Sequence, residues 1–237
     1  MKKVVHKAES RGHANHGWLN ANHSFSFASW YNPERINFGA IRVLNDDVIA
    51  PGAGFPTHPH DNMEIITIPL SGVLEHKDSM GNVAQIKTGE VQVMSAGTGV
   101  THSEYNGSQT EELKLFQIWL FPNKKDVKPR YDELKLKAED RKNTFQQILS
   151  PSPDDDGVWI HQDAWMHVIS MDPKTEKEYK LKNSANGVYV MNIEGEVEIE
   201  GDRLSNRDAI GITESDSINF KAASQSELLL IEVPMQF

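Results

Sequence analysis

Short runs rich in β-branched and aromatic residues, separated by turn-forming clusters, recur along the chain. In the first half residues 38–49, 63–70, 83–86, 91–94 and 113–121 read as strands. Asn45-Asp46-Asp47, Ser71-Gly72 and Met80-Gly81-Asn82 punctuate them as predicted turns. The second half repeats the rhythm at 158–171, 188–200, 209–213, 217–220 and 227–233, with apolar/polar alternation clearest in Val190-Met191-Asn192-Ile193 and Glu196-Val197-Glu198-Ile199-Glu200. Between the halves, residues 122–143 are polar and contain proline, and predict a connection carrying a short helix over 132–141. Strands this short and this regularly spaced predict an all-β sandwich or barrel, here two in tandem, divided as residues 1–130 and 131–237.

Composition narrows the function classes. The chain has 237 residues, enough to bury the core of one large β domain or two small ones. It has no cysteine, which removes disulfides, thiolate nucleophiles and cysteine-bound zinc together. A net charge of −10 argues against direct nucleic-acid binding, which rests on lysine and arginine displacing counterions. Lys124, Lys125, Lys128 and Arg130 form the best basic patch and read as a solvated linker. With mean hydropathy of −0.52 and no apolar run near the ~18 residues a spanning helix needs, no membrane partner is expected. Lys7 interrupts the N-terminal stretch before an apolar segment can develop, so a signal peptide is not expected and the predicted compartment is the cytoplasm.

Candidate chemistry concentrates in His58-Pro59-His60 and His102-Ser103-Glu104. Residues two apart on a strand share a face, so each pair aims two donor groups in one direction, and two such pairs brought together would hold one metal ion. Imidazoles with a carboxylate and no thiolate suit a divalent first-row metal with open positions for an anionic substrate and dioxygen. Fe²⁺ fits that chemistry best, although Cu²⁺, Ni²⁺, Co²⁺, Mn²⁺ or Zn²⁺ could occupy the site by affinity. The carboxylate is ambiguous on spacing alone. Glu64 is even-spaced from both first-pair histidines, and Glu104 is two residues from His102. Pro59 cannot donate to a ladder, which predicts an edge strand or an irregular rim there.

Other conspicuous residues have plainer readings. His13, His16 and His23, with Trp18, predict a capping N-terminal loop able to reach a pocket; Phe25, Phe27, Trp30 and Tyr31 predict core. His161 and His167 lack a paired motif and read as structural or surface histidines, and residues 154–157 as a turn.

The text His58-Pro59-His60 with Met63-Glu64, and Met94-Ser95-Ala96-Gly97-Thr98-Gly99-Val100-Thr101-His102-Ser103-Glu104, resembles the pirin family of two-barrel cupins, in particular its bacterial quercetin-dioxygenase-like members. Arg11-Gly12-His13, His23-Ser24-Phe25-Ser26-Phe27, the stretch from Phe38 to Asp47, and Gln117-Ile118-Trp119 carry the same resemblance. It is specific over residues 10–122 and weaker beyond. The resemblance implies a bicupin of two jelly-roll-like β-barrels, the first metal-binding and the second without ligands. It also implies a fourth ligand at Glu104 beside His58, His60 and His102, leaving Glu64 a supporting or strand-pairing role. The implied activity is quercetin 2,3-dioxygenase, with a flavonol and O₂ as substrates; beyond the resemblance, Glu104 is expected to double as ligand and proton acceptor for the flavonol hydroxyl. A second expectation from the same resemblance is a metal-dependent regulatory protein acting on a transcription factor or metabolic enzyme.

Overall fold

The computed structural model describes residues 1–237, and its four sheets form two barrels of one plan, each a seven-stranded sheet facing a four-stranded one. In the first barrel the larger sheet runs Arg130–Lys135, Glu90–Ser95, Glu64–Ser71, Leu113–Leu120, Ile41–Ile49, Leu19–His23, Gly12–Asn15. The smaller runs Gly54–His60, Val100–Asn106, Val73–Asp78, Val83–Lys87. The second barrel repeats this with Lys2–His6, Ala209–Thr213, Asn186–Glu194, Ser226–Pro234, Trp165–Met171, Gln146–Ser150, Val158–Trp159 opposite Glu176–Lys180, Ser217–Ala222, Val197–Ile199, Asp202–Leu204. The all-β, two-barrel expectation holds. No helix is long and apolar enough to cross a membrane.

The larger sheets are covered on both faces, which is why their strands read as continuous apolar runs. Leu228 and Leu230 face the interior of the second barrel with Val188, Val190 and Ile210. Leu229 and Ile231, between them on the chain, join a 25-residue cluster shared with Ile66, Phe116 and Ile118 of the first barrel. At ~1.5–3 kcal/mol for each fully buried aliphatic or aromatic side chain, burial in this shared layer holds the two barrels together. Polar contacts reinforce the junction: one oxygen of Asp46 accepts from Arg11 at 3.1 Å and from Arg207 at 3.0 Å.

Each barrel also borrows a strand. Lys2–His6 pairs with Ala209–Thr213 at an edge of the second barrel, and Arg130–Lys135 pairs with Glu90–Ser95 at the matching edge of the first. A border at 130/131 thus falls at the start of a first-barrel strand. The helix predicted over 132–141 is instead the rest of that strand followed by one 3₁₀ turn, Ala138–Arg141. Sheet pairing there outweighs the helix propensity of a Lys- and Glu-rich segment.

Other boundaries shift for identifiable reasons. Asn45-Asp46-Asp47 is no turn but the middle of the nine-residue strand Ile41–Ile49, because its polar side chains line a cavity on one face and meet arginines on the other. The extended run at 188–200 breaks at Gly195, whose φ is +85°, and the run at 158–171 breaks between Trp159 and Trp165. Residues 154–157 do form a turn.

Candidate metal centre and pocket

Gly54–His60 is the edge strand of the smaller first-barrel sheet, which accommodates Pro59. It pairs antiparallel with Val100–Asn106, placing His58 opposite His102 and His60 opposite Val100. The approach is close at Gly54, where a Cβ would sit 2.3 Å from the Glu104 carbonyl oxygen. From His102 to Glu104 two steps match three along the edge strand, from His58 to Phe55, so the extra residue lies in Gly54–His60 and bulges that strand, a device that re-aims side chains. Along Val100–Asn106, Val100, His102, Glu104 and Asn106 are buried and face inward. The preceding turn needs Gly97, with φ +48° and its Cβ direction occupied by the Val127 carbonyl.

Donor atoms of His58, His60 and His102 lie within 4.8 Å of one another. Glu104 falls in a second group of the same tightness with His102 and His76, so His102 is common to both. His76 escaped the sequence reading. Its signal was present in His76-Lys77-Asp78, a third pair at spacing two. His76 Nε2 lies 3.1 Å from Asp78 Oδ2, its ring stacks on Tyr131 at 4.9 Å, and its Nδ1 is buried without a partner.

Protonation suits a cation. His58 Nδ1 lies 2.8 Å from the Pro56 carbonyl, which can only accept, so Nδ1 carries the proton and Nε2 keeps a free lone pair. Burial pushes His60 down to about 4 and His102 down to about 3, leaving neutral imidazoles at pH 7. Both ring nitrogens of His102 are buried and unpartnered, a loss of about 1–3 kcal/mol per group unless something binds there. Glu104 accepts from Thr67 Oγ1 at 3.2 Å and from Gln117 Nε2 at 2.8 Å, yet burial still pushes its carboxyl up to about 7. A divalent ion beside it would reverse that shift. Orphaned imidazole lone pairs next to a carboxyl with no countercharge fit a bound divalent metal.

Glu64 is placed elsewhere. Asn62, with φ +44°, turns the chain between Gly54–His60 and Glu64–Ser71, so even spacing across the turn no longer means a shared face. Glu64 lies with Ile66 and Ile68 on the side facing the other barrel, accepts from Ser95 Oγ at 2.6 Å, and is pushed up to about 7 by burial.

Opposite the histidine strands, the inner face of the larger sheet carries a polar row in register across five strands: His23, Asn45, Gln117, Thr67, Gln92. His23 Nδ1 and Asn45 Oδ1 are 2.9 Å apart, and Thr67 Oγ1 lies 2.9 Å from Gln117 Oε1, which shares the single hydroxyl proton with Glu104. Gln117 and Thr67 are the two residues that also hold Glu104. Above this row is a cavity of about 290 Å³ walled by Leu19, Ala21, Phe27, Phe55 and Trp119 and reached by His58, His60 and Glu104. Trp119 packs edge-on against His60 at 4.9 Å. Asp47 also lines the cavity. Burial and the charges of Asp46 and Glu104 push its carboxyl up to about 8. An open groove of about 560 Å³ crosses Glu176, Lys177, Glu198 and Lys221 on the outer face of the second barrel and brings no catalytic constellation together.

The predicted N-terminal loop is two strands, Gly12–Asn15 and Leu19–His23, and His23 does reach the pocket. Phe25 is core as expected, whereas Phe27 walls the cavity and Tyr31 is 72% exposed. His161 is partly buried beside Trp159, and His167 is buried beside Tyr179 in the second barrel.

The chain matches the family model described as Pirin over residues 4–120 and the one described as Quercetinase C-terminal cupin domain over residues 147–233. It is 44% identical to a protein of Escherichia coli K12 named quercetin 2,3-dioxygenase, covering 97% of this chain and 98% of that one. A pirin-like protein of Caulobacter vibrioides is 41% identical over 93% of this chain and 95% of its own length. Among solved structures, YhhW from Escherichia coli superposes with a TM-score of 0.94 at 42% identity over the whole of both chains. A crystal structure of bacterial pirin YhhW in complex with nickel(II) superposes at 0.93, with 42% identity over 98% of this chain and 99% of that one.

Proposed function

The chain belongs to the pirin family, and we propose that it is a metal-dependent dioxygenase that opens the central ring of a flavonol such as quercetin. Both atoms of O₂ enter the ester product, and one ring carbon leaves as carbon monoxide. The observation that carries this reading is a cluster of three imidazoles whose donor atoms lie within 4.8 Å of one another, joined through His102 to the buried Glu104, beside an apolar-walled cavity. His58, His60, His102 and Glu104 are the proposed ligands of one divalent cation, Fe²⁺ as the working ion. A nickel-bound bacterial relative supports a divalent occupant. When bound, the metal supplies Lewis acidity for the flavonol oxygens and access to O₂ chemistry.

The chain's residues do the rest. The Glu104 carboxylate takes the proton of the flavonol 3-hydroxyl, while Gln117 and Thr67 hold it in place with two donated hydrogen bonds. Phe27, Phe55 and Trp119 provide flat apolar faces for aromatic rings and keep bulk water from the reacting end. The hydrogen bond to Pro56 holds the His58 ring in the tautomer that leaves its lone pair free.

Quercetin added to iron-loaded protein in air is expected to cause O₂ uptake with one equivalent of carbon monoxide released. Full metal occupancy without O₂ uptake would overturn the reading. Capture of a protein partner in one metal state alone would then turn the assignment towards regulation.

A further inference from the structure

Asp47 stands apart from the machinery just described. It is 4% exposed, its Oδ1 is buried with no hydrogen-bond partner, and it lines the cavity. Its cross-strand neighbours are Ala21 on one side and Leu115 on the other, so neither adjoining strand offers a polar group at its level. Asn45, two residues earlier on the same face, is by contrast satisfied by His23. A carboxyl left unpaired inside a barrel destabilises the fold by the desolvation of at least one polar atom. Nothing in the protein compensates, whereas a ligand in the cavity could.

Position adds a direction. Asn45 stands opposite Gln117, which holds Glu104, so the polar row marks the level of the metal-facing end. Asp47 lies one strand repeat further on, about 7 Å along Ile41–Ile49 at ~3.4 Å per residue. A flat molecule whose oxygens meet the histidines would extend past this row towards Leu19 and Phe55, with Asp47 beside it.

We propose that Asp47 is a specificity-determining residue that hydrogen-bonds a ring hydroxyl of a polyhydroxylated aromatic substrate, at the end away from the metal-facing histidines. This rests on the flavonol reading above. It predicts discrimination between flavonols that share the 3-hydroxyl and differ in their other hydroxyls. A site that pairs a buried polar group with a substrate hydroxyl rejects the analogue lacking it, because the group is then left unpaired.

Nickel-loaded protein under nitrogen, titrated with quercetin and with 3-hydroxyflavone and followed by flavonol absorbance, tests the assignment. In Asp47→Leu the Kd for quercetin is expected to rise about tenfold, as for loss of one buried hydrogen bond, while 3-hydroxyflavone binds as well as before or better. Asp47→Asn, which keeps size and a polar end, is expected to lie between the wild type and Asp47→Leu. The melting temperature of unliganded Asp47→Leu is expected to rise about 2–4 °C, since an unpaired carboxyl has been removed. Equal shifts for both flavonols, or none in either variant, would overturn the role of Asp47 and leave the dioxygenase reading standing. Failure of wild-type protein to bind either flavonol would remove that reading and this assignment with it.

Discussion

In the first barrel the inner row across the larger sheet is His23, Asn45, Gln117, Thr67 and Gln92; through the middle of the second it is Gln147, His167, Leu230, Val190 and Ile210. The facing strands differ in the same sense. Where the first barrel presents His102 and Glu104 from Val100–Asn106, the second presents Ile218, Phe220 and Ala222 from Ser217–Ala222. One barrel is therefore filled by a 15-residue apolar cluster. The other divides its apolar residues into a seven-residue cluster and a four-residue cluster and keeps polar groups and a cavity on its inner face. The strand plan thus accommodates either filling, and the site is a matter of which side chains face inward. A solid second barrel, locked to the first through the shared apolar layer, can stabilise a first barrel that is weakened by unpaired polar atoms.

The contrast is broken most severely at His102. His102→Ala is expected to remove bound metal and turnover together, exceeding the roughly 10–100-fold that losing a supporting contact costs a metal site. His167→Ala in the second barrel should leave metal content unchanged. Metal analysis of both proteins after identical loading checks the pair, and equal losses would show that the second barrel takes part.

Glu104→Gln comes next. It is expected to keep part of the metal and to lose turnover by about 10²–10⁴-fold, the range for a general base. Proton counting sharpens this. Burial pushes Glu104 of the metal-free protein up to about 7, above the ordinary carboxylate range, and pushes His60 and His102 down to about 4 and about 3. At pH 6 those two histidines are already neutral while Glu104 still holds its proton. Metal binding by the wild type should therefore release about one proton more than binding by Glu104→Gln, measured by calorimetry in buffers of different ionisation enthalpy. The stability signs follow. The raised Glu104 value makes the metal-free fold progressively less stable as pH rises from 4.5 to 7, and the depressed histidines make it less stable as pH falls from 6.5 towards 3.

Gln117→Leu places in the first barrel the residue type that the second has at Leu230. It removes one of the two side chains holding Glu104, and about a 10–100-fold loss of metal affinity or turnover is expected. The fold should survive, because a leucine there meets a site the second barrel already tolerates. Circular dichroism alongside a metal titration separates the two effects.

Legibility followed the same divide. Ala209–Thr213 is readable to the residue, and Leu113–Leu120 to within one, because the first is apolar up to its last residue and the second is interrupted only at Lys114 and Gln117. The sequence predicts a turn at Asn45-Asp46-Asp47 inside Ile41–Ile49 and a loop over Leu19–His23, and both segments are strands. In both, polar residues point into the barrel, against the assumption that inward means apolar. The histidine pairs stand out because residues two apart on a strand share a face, so the spacing carries its own geometry. Glu64 could not be resolved the same way, since the turn at Asn62 destroys the periodicity on which its candidacy rested. His76 has a local signal in the spacing of His76 and Asp78, whereas the polar row arises from register between distant strands, which no local pattern encodes.

Asp46 tests the junction between the barrels. Asp46→Ala leaves Arg11, 6% exposed, facing a partly buried site without its carboxylate, and should destabilise the protein by about 3 kcal/mol. The neighbouring Asp47→Leu is expected to act in the opposite direction, so two adjacent acidic residues on opposite faces of one strand would give opposite signs in the same chemical denaturation experiment.

Glu64→Ala is expected to have the smallest effect and the greatest value for choosing the carboxylate. It removes the acceptor of the Ser95 hydroxyl at 2.6 Å, and a buried hydroxyl without a partner is worth about 1–2 kcal/mol of stability. Arg130 lies near enough to feel the Glu64 charge, but it also pairs with Asp132 at 2.7 Å, so its own loss is limited. None of these contacts reaches the histidines, which open towards the cavity while Glu64 faces the second barrel. Metal content of Glu64→Ala should therefore match the wild type while that of Glu104→Ala falls. Metal loss in the Glu64 variant alone would mean that the sheet rearranges on loading and brings the other glutamate inward.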